Sequence, residues 1–252
     1  ENYLGMTLFK RNKTNLELTE EGKIFYQFAT KIIDEYLNME ENLKNLKKSS
    51  NLYVGSSSTI GDYLLPKLIT KFLSKNPDLK IRVFIGNSKE VESGVLSKIF
   101  NIGLVEDNIV SNKFDITEFY EDEIILISSK NNQIPDHLST QEDLKKYKFI
   151  FREEGSGTRN IVEQNLKVKI KPDMEISSSK AIVNIVYNSN YLAFVSKLVA
   201  EDMLKENHLK RVEVKDLKIT RKFCIITQKN IRLSAIENSF YYFLKNFVKE
   251  QR

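Results

Sequence analysis

The sequence holds one cysteine and two histidines, and no apolar run in it is long enough to cross a bilayer. Each shortage removes a class of protein. Cys224 cannot form an intrachain disulfide, and its place in the apolar run from Phe223 to Ile226 predicts a buried structural thiol. His137 and His208 form no local Cys/His cluster, so no metal and no cofactor are expected. His137 follows Pro135 in a polar loop and His208 sits near the polar end of a helix. These are poor places for a buried general base, so no catalytic residue is assigned and an enzyme is not expected. The longest apolar stretches, Ile124 to Ile127 and Tyr191 to Val195, fall far short of the roughly 20 residues of a membrane helix. The opening ENYLGMTLFKRN lacks the basic-then-apolar layout of a secretory leader, so the expectation is a cytoplasmic protein with no membrane partner.

The formal charge of +5 invites a nucleic-acid partner, but residues 1–51 hold eight basic and eight acidic side chains, so the global surplus lies elsewhere. A local cluster is more informative: Lys10, Arg11 and Lys13 stand together with no acid between them. The 252 residues can bury one large core or two medium ones, and two domains are expected.

Two kinds of chemistry-bearing motif are present. From Phe149 to Asn160 the chain reads FIFREEGSGTRN, a short apolar strand joined to a helix through two glycines, a serine and a threonine. No Lys-Ser or Lys-Thr follows the second glycine, which excludes a Walker loop, and the third glycine of a dinucleotide fingerprint is absent. What remains is a cradle for a small anion or carboxylate, with Gly155 and Gly157 turning the backbone at positive φ and Ser156 and Thr158 offering hydroxyls; the alternative is a turn that only reverses the chain. The second motif is the polar loop Gly55 to Gly61, GSSSTIG, which holds Ser57, Ser58 and Thr59, with Asn87 and Ser88 at the end of the next strand. Helix capping accounts for one or two of these hydroxyls, and four in succession exceed what a cap needs.

Taken in order, the chain opens with a helix end closed by Gly5 and a short hairpin through Leu18. Thr19 then caps a long helix running to about Lys48. Along it Phe25, Ile32, Met39 and Leu46 recur every seven residues, with Ala29, Tyr36 and Leu43 four after each of the first three. This is a heptad seam for pairing with a second copy, the alternative being a helix laid along its own domain's core. A polar break at Lys47 to Asn51 precedes two successive series of alternating strands and helices. Strands are expected at Leu52 to Val54, Ile81 to Ile85 and Ile102 to Val105, then at Lys148 to Phe151, Pro172 to Ile176 and Leu192 to Val195. Alternation of this kind predicts parallel strands whose carboxyl ends carry the ligand loops. Asn188 and Asn190 are expected to take the left-handed conformation in a turn of the second series. Glu121 to Ser128 and Lys222 to Gln228 are the candidate strands crossing between the two lobes, and the helix from Ser234 would return to the first.

The segment Leu4 to Gly22, LGMTLFKRNKTNLELTEEG, resembles the LysR-type transcriptional regulators from the end of the recognition helix through the wing to the linker helix. TIGDYLLPKLITKF and FNIGLVE, at Thr59 to Phe72 and Phe100 to Glu106, are similarly characteristic, and REEGSGTR resembles the branch that includes regulators of sulfur assimilation and carbon fixation. The resemblance implies an α/β, two-lobed, periplasmic-binding-protein-like effector domain at 51–252, with lobe I at 51–124 and 225–252 and lobe II at 125–224. Before it would come a winged-helix remnant at 1–19 and a linker helix at 20–50. Most of the helix-turn-helix would lie before Glu1. It implies promoter DNA touched through Lys10, Arg11 and Lys13, a homodimer or homotetramer, and a small anionic or carboxylate effector held by Ser57, Ser58, Thr59, Asn87, Ser88, Ser156, Gly157 and Thr158. Arg152 is a further source of charge there. Asn101 stands where the family usually has aspartate, removing a negative charge near the cleft. The alternative is a periplasmic-type solute-binding protein, and an enzyme of the same fold comes third.

Overall fold

A computed structural model describes residues 1, 4–11, 16–47, 51–106 and 111–247. Its contacts divide the chain into two compact units, 1–50 and 51–252.

In the first unit, β1 (Phe9–Arg11) pairs antiparallel with β2 (Leu16–Leu18), and α1 (Glu20–Lys47) follows. Gly5 adopts φ +63°, the left-handed conformation that closes a helix end. Thr19 locks the hairpin to the helix: its hydroxyl donates to the Thr7 carbonyl at 2.7 Å and accepts from the Gly22 amide at 2.9 Å. Gly22 touches the Leu8 carbonyl so closely that no side chain fits there. At ~1.5 Å per residue the 28 residues of α1 extend about 42 Å. Its apolar face is open: Ile24, Phe25, Phe28, Ile32, Tyr36 and Met39 are all exposed, and Ala29 is half-buried. Ile24 and Phe28 flank the heptad seam, so the apolar arc is wider than the two seam positions alone. The side chains of Leu43 and Leu46 lie outside the described residues.

The second unit is built on one long mixed sheet. Its elements are β3 (Asn51–Ser57), a π-helical turn (Ile60–Leu64), α2 (Leu65–Leu73), β4 (Lys80–Gly86), α3 (Ser88–Leu96), β5 (Ile102–Val105) and β6 (Phe114–Ser129). The chain continues through β7 (His137–Leu138), a 3-10 turn (Gln141–Lys146), β8 (Ile150–Phe151), α4 (Gly157–Asn165), β9 (Met174–Glu175), α5 (Ser179–Tyr187) and β10 (Ala193–Ser196). It ends with α6 (Lys197–Lys205), β11 (Leu209–Val214), β12 (Ile219–Gln228) and α7 (Ala235–Phe247).

The sheet order is β4-β3-β5-β12-β6-β11-β7, with β10 pairing β6, while β8 and β9 form a separate parallel pair. β3 runs parallel to both β4 and β5, as βαβ units require. β6 and β12 are the crossing strands. They pair antiparallel from Phe114↔Gln228 to Ile124↔Ile219, and β6 then continues alone into the second lobe to pair β10 and β11. Alternate residues of both strands therefore enter both cores. Leu52, Val54, Leu68, Phe72, Phe119 and Phe223 form one core, into which α7 packs Phe240 and Leu244. The second lobe packs on two faces, around Ile124, Leu126, Phe149 and Phe194 and around Ile125, Ile127, Val186 and Val195. Cys224 is buried with Val91, Val95 and Phe100, as its apolar setting predicts.

Three local expectations are corrected. GSSSTIG is not an open loop: Ser56 and Ser57 are strand residues paired with Ile85 and Gly86, and the chain turns at once into the π-helical segment. Asn188 keeps φ −99° and ends α5 in a right-handed turn with its side chain donating to the Asn184 carbonyl, while Asn207 and Asn230 take the positive φ instead. Strand β11 and the short β7 were not anticipated.

Candidate functional site

The carboxyl ends of β3, β4, β5 and β8 bring one group of polar residues to the seam between the lobes. Gly157, at the first position of α4, meets the first lobe directly. A Cβ there would lie 2.6 Å from the Glu106 carbonyl oxygen, 2.8 Å from Ser88 Oγ and 3.0 Å from Glu106 Cγ. Gly155 has φ +85°, the left-handed turn that feeds α4, and faces Asn87 and Lys89. Gly157 does not share that positive φ. Its requirement is the close approach of the lobes, which corrects the expectation that both glycines serve the turn.

The eight candidate residues separate by what their polar atoms already do. Asn87 caps α3, accepting from the Glu90 amide at 2.9 Å while Glu90 returns the bond to the Asn87 amide at 2.8 Å. Ser156 caps α4 through the Arg159 amide at 3.5 Å, and Ser58 donates to the Gly86 carbonyl at 3.0 Å. Thr158 Oγ1 accepts from Arg221 and lies 3.4 Å from Glu106 Oε2. Ser57, Thr59 and Ser88 differ: each is almost completely buried, and its hydroxyl has no hydrogen-bond partner among the described residues. A buried hydroxyl without a partner costs about 1–3 kcal/mol, so three on adjoining strand ends mark a place where something polar belongs.

Behind them lies an ion network spanning the seam. Arg221, on β12, is a cross-strand neighbour of Asp122 on β6. Its guanidinium is 0% exposed. Nε donates to Asp122 Oδ2 at 2.7 Å, and Nη2 lies 2.7 Å from the same oxygen but out of line for a second bond. Nη1 reaches Glu106 Oε2 at 2.5 Å and Thr158 Oγ1 at 2.9 Å. Ser196, at the start of α6, donates to Asp122 Oδ1 at 2.8 Å. One arginine therefore joins the end of β5, the crossing strands and the start of α4. Burial pushes the Asp122 carboxyl above its usual range, against the pull of Arg221 and the Ser196 hydroxyl. Asp62, on the π-helical turn, is also raised, first by burial, with Arg152 and Lys180 acting the other way.

Arg152 is buried, and its charge is met within its own lobe. Nε and Nη2 bond the Glu153 carboxylate at 2.8 and 3.0 Å, and Nη1 bonds Ser179 at 2.6 Å. Asn101 corrects the expectation of a lost charge near the cleft. It precedes β5, at the opposite end of that strand from Glu106, and its amide bonds Glu237 of α7 at 3.0 Å.

Arg221, Asp122 and Ser196 were missed from the sequence. A signal existed: Arg221 shares a strand face with Ile219 and Phe223, and Asp122 shares one with Ile124 and Leu126.

Among the DNA-binding candidates, Lys10 is exposed on the hairpin, while Lys13 and the side chain of Arg11 lie outside the described residues. Among the described residues no group of three or more His, Cys, Asp or Glu could hold a metal ion, and no helix is long and apolar enough to cross a membrane.

A two-lobed α/β unit with crossing strands and polar turns at the seam defines an effector-domain architecture. The LysR substrate binding domain matches residues 47–249, and the chain belongs to the LysR-type transcriptional regulators. A probable RuBisCO transcriptional regulator of Cyanidium caldarium is 29% identical over 253 residues, covering 95% of this chain and 80% of that one. The uncharacterized HTH-type regulator YeiE of Escherichia coli K12 is 31% identical over 217 residues, 85% of this chain and 73% of its own. The fold matches the CcmR regulatory domain of Synechocystis in complex with 2-PG, with TM-score 0.73 and 19% identity over 79% of this chain and 98% of that one. It also matches the QuiR effector domain in complex with shikimate, with TM-score 0.71 and 18% identity over 81% and 99%.

Proposed function

We propose that this regulator binds a small carboxylate-bearing metabolite at the seam and that the ligand alters how its subunits are arranged on promoter DNA. The observation that carries the effector site is the set of buried hydroxyls of Ser57, Thr59 and Ser88 that have no partner among the described residues, of which Ser88 meets Gly157 at the amino end of α4. Hydroxyl donors and the free amides of a helix start suit a carboxylate or other oxyanion. Ser58, Asn87, Ser156 and Thr158 shape the walls through the caps and bonds they already make, and Gly157 sets the lobe spacing. The shikimate and 2-PG complexes of the fold neighbours make small metabolites the class to test.

In this reading the open apolar face of α1 pairs two subunits, and Lys10, Arg11 and Lys13 touch phosphates beside a recognition helix. The residue ranges 1–19, 20–50 and 51–252 then serve as wing, linker and effector domain. A ligand that prefers one lobe closure biases the assembly by its differential affinity for the two states.

Thermal unfolding of the 252-residue chain against a panel of small carboxylates, phosphates and sulfur oxyanions tests the site. A ligand at 100 times its Kd stabilises by about 2.7 kcal/mol. The expected result is a shift with one chemical class that Ser88→Ala weakens. An equal shift in both proteins would place binding elsewhere.

A further inference from the structure

The buried charges at the seam do not balance. Glu106 and Asp122 are two carboxylates, each no more than 4% exposed, and among the described residues Arg221 is the one cation that both contact. The neighbouring charges are either paired or open to solvent. Arg152 is met by Glu153, and Asp62 and Lys180 are exposed to water. Lys89 faces the Gly155 turn from α3 and is exposed, so water screens its charge. The seam therefore carries an excess of one buried negative charge beside the amino end of a helix. A simple anion placed there gains the helix amides but meets this charge in a medium where Coulomb forces are poorly screened.

Glu106 also has unused capacity. Its Oε2 takes both the Arg221 bond and the Thr158 approach, while its Oε1 accepts no hydrogen bond among the described residues. Its side chain and Ser88 Oγ converge on Gly157, both within 3.0 Å of the point where a Cβ would sit, and Ser88 Oγ has no partner of its own. An acceptor with a formal charge thus stands beside hydroxyls and helix amides that serve as donors. The ligand that satisfies both halves carries a negative group and a positively charged donor a few atoms apart.

We propose that the effector is a zwitterion of the α-amino acid class. Its carboxylate lies against the start of α4 and the Ser57 and Thr59 hydroxyls, and its ammonium against Glu106 Oε1 and Ser88. The ammonium supplies the cation that the network lacks, and it discriminates against ligands that bear only an acid. The proposal rests on the effector-site reading above and adds the ligand's second charge.

Matched pairs test it without altering the protein. The 252-residue chain is titrated with α-amino acids and with their 2-hydroxy acid counterparts: serine with glycerate, alanine with lactate, aspartate with malate, and glutamate with 2-hydroxyglutarate. Cysteine, acetylserine and the remaining common amino acids are screened beside them, with sulfate and phosphate as plain anions. The expected result is that at least one amino acid binds and its hydroxy acid binds at least about 10-fold more weakly, a difference of about 1.4 kcal/mol. In Glu106→Gln, which keeps the side chain's shape, the amino acid's Kd should rise about 10-fold while that of the hydroxy acid should not. Hydroxy acids or plain anions that bind as well as the amino acids, and that Ser88→Ala weakens, overturn the zwitterion and leave the effector site standing. If no member of any series binds, the zwitterion and the carboxylate site fall together.

Discussion

Replacing Arg221 with methionine removes the one cation that Glu106 and Asp122 both contact while preserving much of the side chain's bulk. Both carboxylates are almost fully buried, so neither can recover its lost partner by turning to water. Breaking a buried ion pair in this way typically costs about 3–5 kcal/mol. Protonation sets a ceiling on that cost. A carboxyl with an ordinary value of 3.8 can be neutralised at pH 7 for about 4 kcal/mol, at 1.36 kcal/mol per pH unit, and at pH 5 for less than about 2. Arg221→Met should therefore lose about 4 kcal/mol at pH 7 and roughly half of that at pH 5. Urea unfolding followed by far-UV circular dichroism at both pH values, with protein concentration fixed, measures the difference. With a slope of about 1–3 kcal/mol per molar urea, the midpoint at pH 7 should fall by more than about 1 M. A deficit below about 1 kcal/mol at pH 7, or one that does not shrink on acidification, would refute the claim that Arg221 compensates these buried carboxylates.

Other perturbations separate the parts of the same design. Because burial raises the folded-state value of Asp122 above its usual 3.8, the folded protein holds that proton more tightly than the unfolded chain. Its contribution to stability improves as pH falls through the folded value and is lost above it. Asp122→Asn cannot titrate, so it should gain on the unaltered protein between about pH 4 and neutrality, as paired urea curves would show. Gly157→Ala would drive a methyl group into the Glu106 carbonyl and Ser88, so small-angle scattering should report lobes that no longer close, with at least about a 10-fold loss in affinity for any seam ligand. Gly94→Ala would force a methyl against the Phe100 ring, with an expected overpacking loss of about 1–3 kcal/mol in the same urea assay. On α1, Ile32→Glu places a charge in the open apolar face, and if that face pairs two subunits analytical ultracentrifugation should find the variant less associated than the unaltered chain.

The parts of this fold that were legible are those with a strong period or strong punctuation. β5 falls on the same four residues, 102–105, that the sequence marks, because Asn101 and the acid after Val105 bracket a short apolar run. α1 and α7 announce themselves by helical spacing of apolar residues. β11 was hidden because its buried residues, Leu209, Val212 and Val214, break the two-residue alternation after Leu209 and its polar side chains fill the gap. The extra length of β6 was hidden in the same way. From Phe114 to Tyr120 it is one edge of a strand pair whose outward residues are mostly polar, so it resembles loop until its partner β12 is known.

The site shows a deeper limit. Sequence reasoning placed the hydroxyls at the ends of strands, because strand-to-helix turns put them there whatever the ligand is. It could not sort them. Asn87, Ser156 and Ser58 carry the same kinds of polar atom as Ser57, Thr59 and Ser88, yet the first three are consumed by backbone groups and the second three are not. That distinction depends on which amides the folded backbone leaves within about 3 Å, a property of the turn geometry and not of the residue type. Arg221 was lost for a related reason. A charge inside an apolar strand is counted as the strand's polar border, and the expected strand accordingly began one residue later, at Lys222. Only the pairing of β12 with β6 turns Arg221 and Asp122 inward together, and only the close approach at Gly157 brings Thr158 and Glu106 to them. The seam's chemistry is therefore a product of three separate strand ends meeting, and no local window of the sequence contains it.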